Sequence, residues 1–357
     1  MRTLTVHIGM PKTATTTLQN IWFPRLASQG HILYDGKREA TTVERRSALA
    51  TAFQQMESEG VDRSIDVIRQ AIDDWVAMNG HADHVVVSDE GFASWRLPRE
   101  EGLPRRLRSR GTGWPVLDGA LSVSDSRSSP PLLRFISVLK DRVGPEVPLR
   151  LIMTIRNQPE FLASLYAQTA GWMSAPSQAD FERKVDLMIA ADDPFVDWSL
   201  WIRELHDVLD PSQLLVVPIE VGLRELTTRI GTFIGVDAAP IDPGATLNRR
   251  RTAEGEWRMR DALIGHRLVS LTSSLVPVER LPLPVRRSLR PLRRMATSID
   301  RLNERRGRDS RSDRRIRLTE ELRSRILTWQ STNNHSLEVS IGESLPAAYF
   351  ATSATAP

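Results

Sequence analysis

The residues following the first apolar run, Gly9-Met-Pro-Lys-Thr-Ala-Thr-Thr-Thr17, combine one lysine with four threonines in front of a helical pattern. Backbone N–H groups at a helix start, hydroxyls and one ammonium at such a place suit an anion. Capping a helix needs only one or two such residues, so Pro11, Lys12, Thr13, Ala14, Thr15, Thr16 and Thr17 are read as a binding loop. A second pair lies far downstream. Arg156 directly follows the apolar run Leu149–Ile155, and Ser164 comes eight residues later. A guanidinium and a hydroxyl there suit the second phosphate of a bisphosphorylated ligand. Between the two, Val85-Val-Val87 ends in Ser88, Asp89 and Glu90. Glu90 is the candidate base for a hydroxyl acceptor and Asp89 its alternative, since strand alternation turns one of the two inward. His7 lies inside the first run and reads as a core histidine.

These residues need strands that end beside one another. Thr3–Ile8, Val85–Val87, Leu149–Ile155 and Leu214–Ile219 read as buried strands, with a further short one at His31–Tyr34. Helical patterns separate them: Leu18–Leu26, kinked by Pro24 and stopped by Gly30; Val43–Met56; Ser64–Met78; Leu132–Val143; one opened by Pro159; 178–191; 195–209; 223–234, stopped by Gly235; and Leu318–Trp329. Strands alternating with helices predict an α/β three-layer sandwich around a central parallel sheet, with a P-loop-like strand–loop–helix at the N-terminus and helical and Arg-rich additions. In such sheets ligands bind beyond the carboxyl ends of the strands, where all three residue groups fall. The expected organisation is a core over 1–275 with a surface insertion at about 96–131, an Arg-rich insertion or linker at 276–317, and a C-terminal helix within 318–350 packing back on the core.

The chain has 357 residues, 40% hydrophobic and 26% charged, enough apolar content for a core of this size. It contains no cysteine, which excludes disulfides, iron–sulfur clusters, thiolate zinc sites and a cysteine nucleophile. No run approaches the roughly 18 to 20 apolar residues of a membrane span, and a cytoplasmic protein is expected. Lysine occurs only at Lys12, Lys37, Lys140 and Lys184, so the one in the loop stands out. The net charge of +4 hides an imbalance: residues 276–317 hold fourteen arginines against five acids, leaving the rest of the chain at −5.

The loop is not a Walker A motif, which from Gly9 would require glycine at 14 and lysine at 15, where the chain has Ala14 and Thr15. Gly9-Met-Pro-Lys-Thr-Ala-Thr-Thr-Thr-Leu-Gln19 resembles instead the 5′-phosphosulfate loop of sulfotransferases that use 3′-phosphoadenosine 5′-phosphosulfate (PAPS), with Ala14 where that family usually carries glycine. Arg156-Asn-Gln-Pro159 with Ser164 resembles the family's Arg-Asn-Pro segment and its serine eight residues on; Gln158 displaces the proline by one. The resemblance, to bacterial-type members, implies that PAPS is the co-substrate and that no metal takes part. It also implies that Lys12 contacts the leaving group, that Arg156 and Ser164 hold the 3′-phosphate, and that a glutamate or histidine acts as base. Weaker echoes are Val87–Glu90, Val217–Glu220 and the ending with Asn333-Asn334. Thr246–Thr252 occupies the place of a late basic loop that helps hold the nucleotide in the family, so Arg249, Arg250 and Arg251 are carried over as a group. The implied partner is a hydroxyl-bearing acceptor, with carbohydrate or glycolipid preferred. Trp95, Trp114 and Trp172 are candidates for stacking on it, though tryptophan is more often core.

Two other classes stay open. A P-loop kinase or NTPase would use Val85–Glu90 as its magnesium strand, but leaves Arg156 and Ser164 without a purpose. A binding protein would use the Arg-rich segment against nucleic acid or an acidic membrane surface. Arginines without interleaved aromatics, broken by prolines, read first as a solvated insertion; nucleic acid is disfavoured, and peripheral membrane contact through 276–317 is kept as an alternative.

Overall fold

The computed structural model describes residues 1–10, 13–36, 47–59, 61–92, 131–170, 173, 176–241, 251–253, 255–259 and 315–351. In chain order, β1 (Thr3–Gly9) leads into α1 (Thr15–Thr17), a π-helical turn (Leu18–Trp22) and α2 (Phe23–Ser28), then β2 (Leu33–Gly36), α3 (Ala48–Glu59), α4 (Val61–Asn79) and β3 (His84–Asp89). There follow α5 (Pro131–Val143), β4 (Leu149–Ile155), α6 (Gln158–Thr169), α7 (Gln178–Ala190), α8 (Trp198–His206), β5 (Leu214–Pro218) and α9 (Leu223–Ile234). The chain closes with β6 (Arg251–Ala253), β7 (Glu256–Arg258), β8 (Arg315–Arg317), α10 (Glu320–Trp329) and α11 (Ser331–Ile341).

The protein is α/β, with a five-stranded parallel sheet in the order β2-β3-β1-β4-β5 flanked by helices, a three-layer arrangement. Alternation along the strands explains the layers. Leu4, Val6 and Ile8 of β1, Val85 and Val87 of β3, and Leu149, Leu151, Met153 and Ile155 of β4 face one core, built with α3, α4, α5, α6 and α8. Val86, Ile152 and Val217 face the other, beneath Leu18, Trp22, Phe23 and Leu26 and the apolar stripe Leu226, Ile230 and Ile234 of α9. Each such side chain contributes about 1.5–3 kcal/mol by leaving water. Because the odd positions of β1 face α2, His7 is buried there against the Phe23 ring at 5.5 Å.

Strand order places β1 at the centre, with β3 on one side and β4 on the other. From β1 the chain crosses to the edge at β2 and returns inward to β3 before passing to β4 and β5 on the other side, so the direction reverses between β1 and β4, the position where ligands bind in such sheets.

Several sequence expectations shift. The second strand starts at Leu33, two residues after His31. Pro24 does not kink a continuous α-helix: the preceding turn widens to π geometry, with Phe23 N–H bonding Leu18 O, and α2 restarts with Pro24 in its first turn. That spares the clash of the proline ring with the carbonyl four residues back. Gly30 and Gly235 end their helices at φ 77° and 76°, as a helix stop requires. After α10 the chain turns at Gln330 into α11, which the sequence reading did not separate.

The short strands β6, β7 and β8 form an antiparallel sheet of their own. Its β7 and β8 strands pack against α6. Arg258 of β7 lies opposite Arg315 of β8, so the chain that leaves after β7 returns beside its point of departure. The last three residues of the stretch 276–317 thus belong to this sheet; its remaining residues, and the insertion expected at about 96–131 apart from Pro131, lie outside the described residues. No helix among the described residues is long and apolar enough to cross a membrane.

Candidate functional site

The loop after β1 is shaped by close approach and by its own hydroxyls. A Cβ on Gly9 would lie 2.3 Å from Thr15 Cγ2, so only glycine lets the strand end pass against that side chain. Thr13 Oγ1 donates to Met10 O at 2.7 Å and Thr15 Oγ1 to the same carbonyl at 3.0 Å. Thr13 Oγ1 also lies 2.7 Å from Thr154 Oγ1 of β4. A hydroxyl has one proton, and Thr13 gives it to Met10, so Thr154 is the donor to Thr13. Thr13, Thr15 and Thr17 are buried, while Thr16 is half-buried. The hydroxyls of Thr13 and Thr15 therefore close the loop on itself and tie it to β4. That leaves Thr16 as the loop's more exposed hydroxyl; among the first-turn amides, the Thr17 N–H bonds Ala14 O at 2.9 Å. Pro11 and Lys12 lie outside the described residues.

Ala14 is the N-cap of α1 in the left-handed region, φ 60° and ψ 8°. That conformation costs a non-glycine residue about 1–2 kcal/mol, while glycine costs about 0.4–1 kcal/mol in the unfolded chain. Ala14→Gly is expected to raise stability by about 0.5 kcal/mol on balance, measurable as a higher denaturant midpoint with an unchanged slope. A lower midpoint would mean that the alanine methyl packs usefully.

Beneath the loop, His7 Nδ1 lies 2.7 Å from Ser88 Oγ, which also accepts from Gln19 Nε2 at 3.1 Å. Burial pushes the His7 imidazole down from 6.5 to about 3, so it is neutral, and Nε2 has no hydrogen-bond partner among the described residues. It is a core histidine, as its place inside the strand suggested, satisfied at one nitrogen. The network joins β1, β3 and the π turn under the site.

At the end of β3, Asp89 is the buried member of the acidic pair, and its Oδ1 accepts from Gly91 N at 2.7 Å in a turn that ends the strand. Glu90 follows in the 3₁₀ turn at 90–92 and is half-buried. Asp89 shapes backbone; Glu90 keeps the more accessible place at the carboxyl end.

After β4, the Arg156 guanidinium pairs with Glu160 one helical turn along, and Glu160 Oε1 faces Arg323 of α10 at 3.6 Å. The side chains of Arg156 and Glu160 are only 14% and 13% exposed, so their ion pair is largely enclosed. Trp198 Nε1 donates to Arg156 O at 2.9 Å. Asn157 caps α6 by accepting from Glu160 N at 3.1 Å, and donates through its backbone and side-chain nitrogens to Glu220 Oε1 at 2.9 and 2.7 Å. Burial raises the Glu220 carboxyl above its usual range, opposed by these Asn157 bonds and by the Arg156 charge. Ser164 lies on α6 and is buried, 6% exposed.

The structure thus brings the Thr13–Thr17 loop and the Arg156 turn to the carboxyl ends of the neighbouring strands β1 and β4. It also packs β7 and β8 on the helix that carries Ser164, with β6, and so the backbone of Arg251, at the outer edge of that small sheet. Arg249, Arg250, Trp95, Trp114 and Trp172 lie outside the described residues. Glu160, Arg323 and Tyr349 escaped the sequence reading, which noted Asn333-Asn334 only as a weak echo of the family's ending. The spacing of Arg156 and Glu160 could have revealed their pairing; Arg323 and Tyr349 are distant in sequence and carry no local signal. No family model matches the chain, and searches of curated proteins and of solved structures find no match either.

Proposed function

We propose that this chain is a PAPS-dependent sulfotransferase of the cytoplasm, with a P-loop-like phosphosulfate loop, acting on a hydroxyl of an acceptor such as a carbohydrate or glycolipid. The observation that supports the reading is that a threonine-rich loop after β1 and an arginine-bearing turn after β4 follow the carboxyl ends of neighbouring strands where the strand order reverses, with Thr13 and Thr154 hydrogen-bonded between them. A ligand with phosphates at both ends of a nucleoside spans such a pair of sites; a ligand with one phosphate chain does not need the second.

In this reading the acceptor oxygen attacks sulfur, the bond from sulfur to the bridging phosphate oxygen breaks, and 3′-phosphoadenosine 5′-phosphate (PAP) leaves with the electron pair. The demands are alignment and charge stabilisation, as in phosphoryl transfer. Lys12 follows the charge developing on the leaving phosphate, while the first-turn amides and Thr16 hold the 5′ end in the frame fixed by Thr13 and Thr15. Arg156 and Ser164 take the 3′-phosphate, with Arg249, Arg250 and Arg251 as further cations. Glu90 accepts the proton of the acceptor hydroxyl. The Arg-rich segment 276–317 lies outside this mechanism, and attraction of an anionic acceptor is its assigned role here.

Calorimetric titration with PAP, repeated with ATP and magnesium, tests the reading. The expected result is tight PAP binding that needs no metal. In Arg156→Ala, affinity for PAP should fall by about 10- to 100-fold, the worth of a hydrogen bond to a charged group, with ATP binding largely unaffected. Preference for magnesium–ATP would point to a kinase-like enzyme, and binding of neither to the Arg-rich surface. Unchanged PAP affinity in Arg156→Ala would remove Arg156 from the site.

A further inference from the structure

Each residue of the turn 156–158 is reached by the C-terminal segment. Arg156 pairs with Glu160, which also faces Arg323 of α10. Asn157 bonds Glu220, whose Oε2 accepts from the Tyr349 hydroxyl at 3.2 Å. Gln158 exchanges two amide hydrogen bonds with Asn334 of α11: its Nε2 donates to Asn334 Oδ1 at 2.6 Å, and its Oε1 accepts from Asn334 Nδ2 at 3.4 Å. Asn334 Nδ2 also donates to Tyr349 O at 2.6 Å. Gln158, Asn334 and Tyr349 are all at most 1% exposed. Gln158 is the residue that displaces proline in Arg156-Asn-Gln-Pro159, so the extra residue of this turn has its partner in the last helix.

Charge points the same way. Glu160 is shared by two guanidiniums, Arg156 and Arg323, and Arg323 also lies 3.7 Å from the exposed Glu320. Glu220 also feels the Arg156 charge. Removing Arg323 therefore takes one positive charge from beside a phosphate held by Arg156. A buried, doubly satisfied amide pair holds its partners in one geometry, because separating it leaves polar groups without partners.

We infer that the C-terminal segment is a positioning element of the second-phosphate site: Asn334 fixes the turn from which Arg156 projects, and Arg323 shares Glu160 so that Arg156 remains available to the ligand. The inference rests on the reading of Arg156 as the 3′-phosphate ligand, and the two fail in different ways.

The test compares PAP with AMP, which lacks the 3′-phosphate, by titration of the full chain. Wild-type protein should prefer PAP; equal affinity would defeat the reading of Arg156 itself, and the inference with it, before any variant is made. In Arg323→Gln the preference should fall by about tenfold, a usual size for coupling within one charged network, through loss of PAP affinity with AMP unchanged. Arg323→Lys should restore most of it. Asn334→Ala should lower the preference likewise; if it does not fold, Arg323→Gln decides. A parallel loss for both nucleotides, or no change in either, overturns the inference, since a merely structural role would not distinguish the 3′-phosphate.

Discussion

Lys12→Ala is expected to lower turnover by about 10²–10³-fold, the usual cost of removing one preorganised donor from developing charge. Its effect on PAP affinity should be much smaller. The physical reason is timing: the bridging oxygen acquires most of its charge as the bond to sulfur breaks, so an ammonium aimed at it stabilises the transition state more than the bound ground state. The described residues on either side of it are held in place: Gly9 is pressed against Thr15, and two threonine hydroxyls converge on Met10 O. Release of PAP from PAPS in the presence of a panel of carbohydrate acceptors provides the measurement. Turnover that survives Lys12→Ala, or that falls only in proportion to affinity, would remove the lysine from the chemistry.

The second large effect concerns stability. His7 is held neutral with its pKa at about 3, against 6.5 when exposed. Below pH 6.5 the unfolded chain takes up a proton that the folded chain refuses, so stability is present above that pH and is lost as pH falls toward 3. At about 1.4 kcal/mol per unit, lowering the pH from 7 to 5 should cost about 2 kcal/mol. Glu220 and Asp193 oppose this: burial raises both, so their folded forms hold protons that the unfolded chain releases, and their contribution grows as pH falls. Urea unfolding at pH 7 and pH 5 checks the balance. His7→Gln, which can keep a hydrogen bond to Ser88 without titrating, should show less than half of the wild-type loss. A wild-type stability indifferent to pH over this range would overturn the assignment.

The strands were legible because a buried parallel strand writes its own signature, as in Leu149–Ile155, whose bounds the sequence reading matches. Helix ends marked by Gly30, Pro159 and Gly235 were legible for the same local reason. What could not be read depends on distant partners. The strands β6 to β8 have three residues each, too few for a periodic signal, and are held by one another and by α6. At the site, residue types and spacing marked Thr13–Thr17, Arg156 and Ser164, and strand order is what relates them. The inward turn of the Thr13 and Thr15 hydroxyls follows from the carbonyl of Met10, which only the folded loop presents. Glu160 meets Arg323, and Asn334 meets Gln158, across long stretches of chain, and no local pattern announces either contact.

The pairing of Arg258 with Arg315 has a consequence for what this chain can tolerate. Two ends pinned side by side make the stretch between them an exchangeable cassette, because doubling a closed loop adds only about 0.6 kcal/mol of closure entropy. The fourteen arginines of 276–317 stand almost wholly within it. A lineage, or an engineer, can shorten, recharge or replace that cassette while β7 and β8 keep their register.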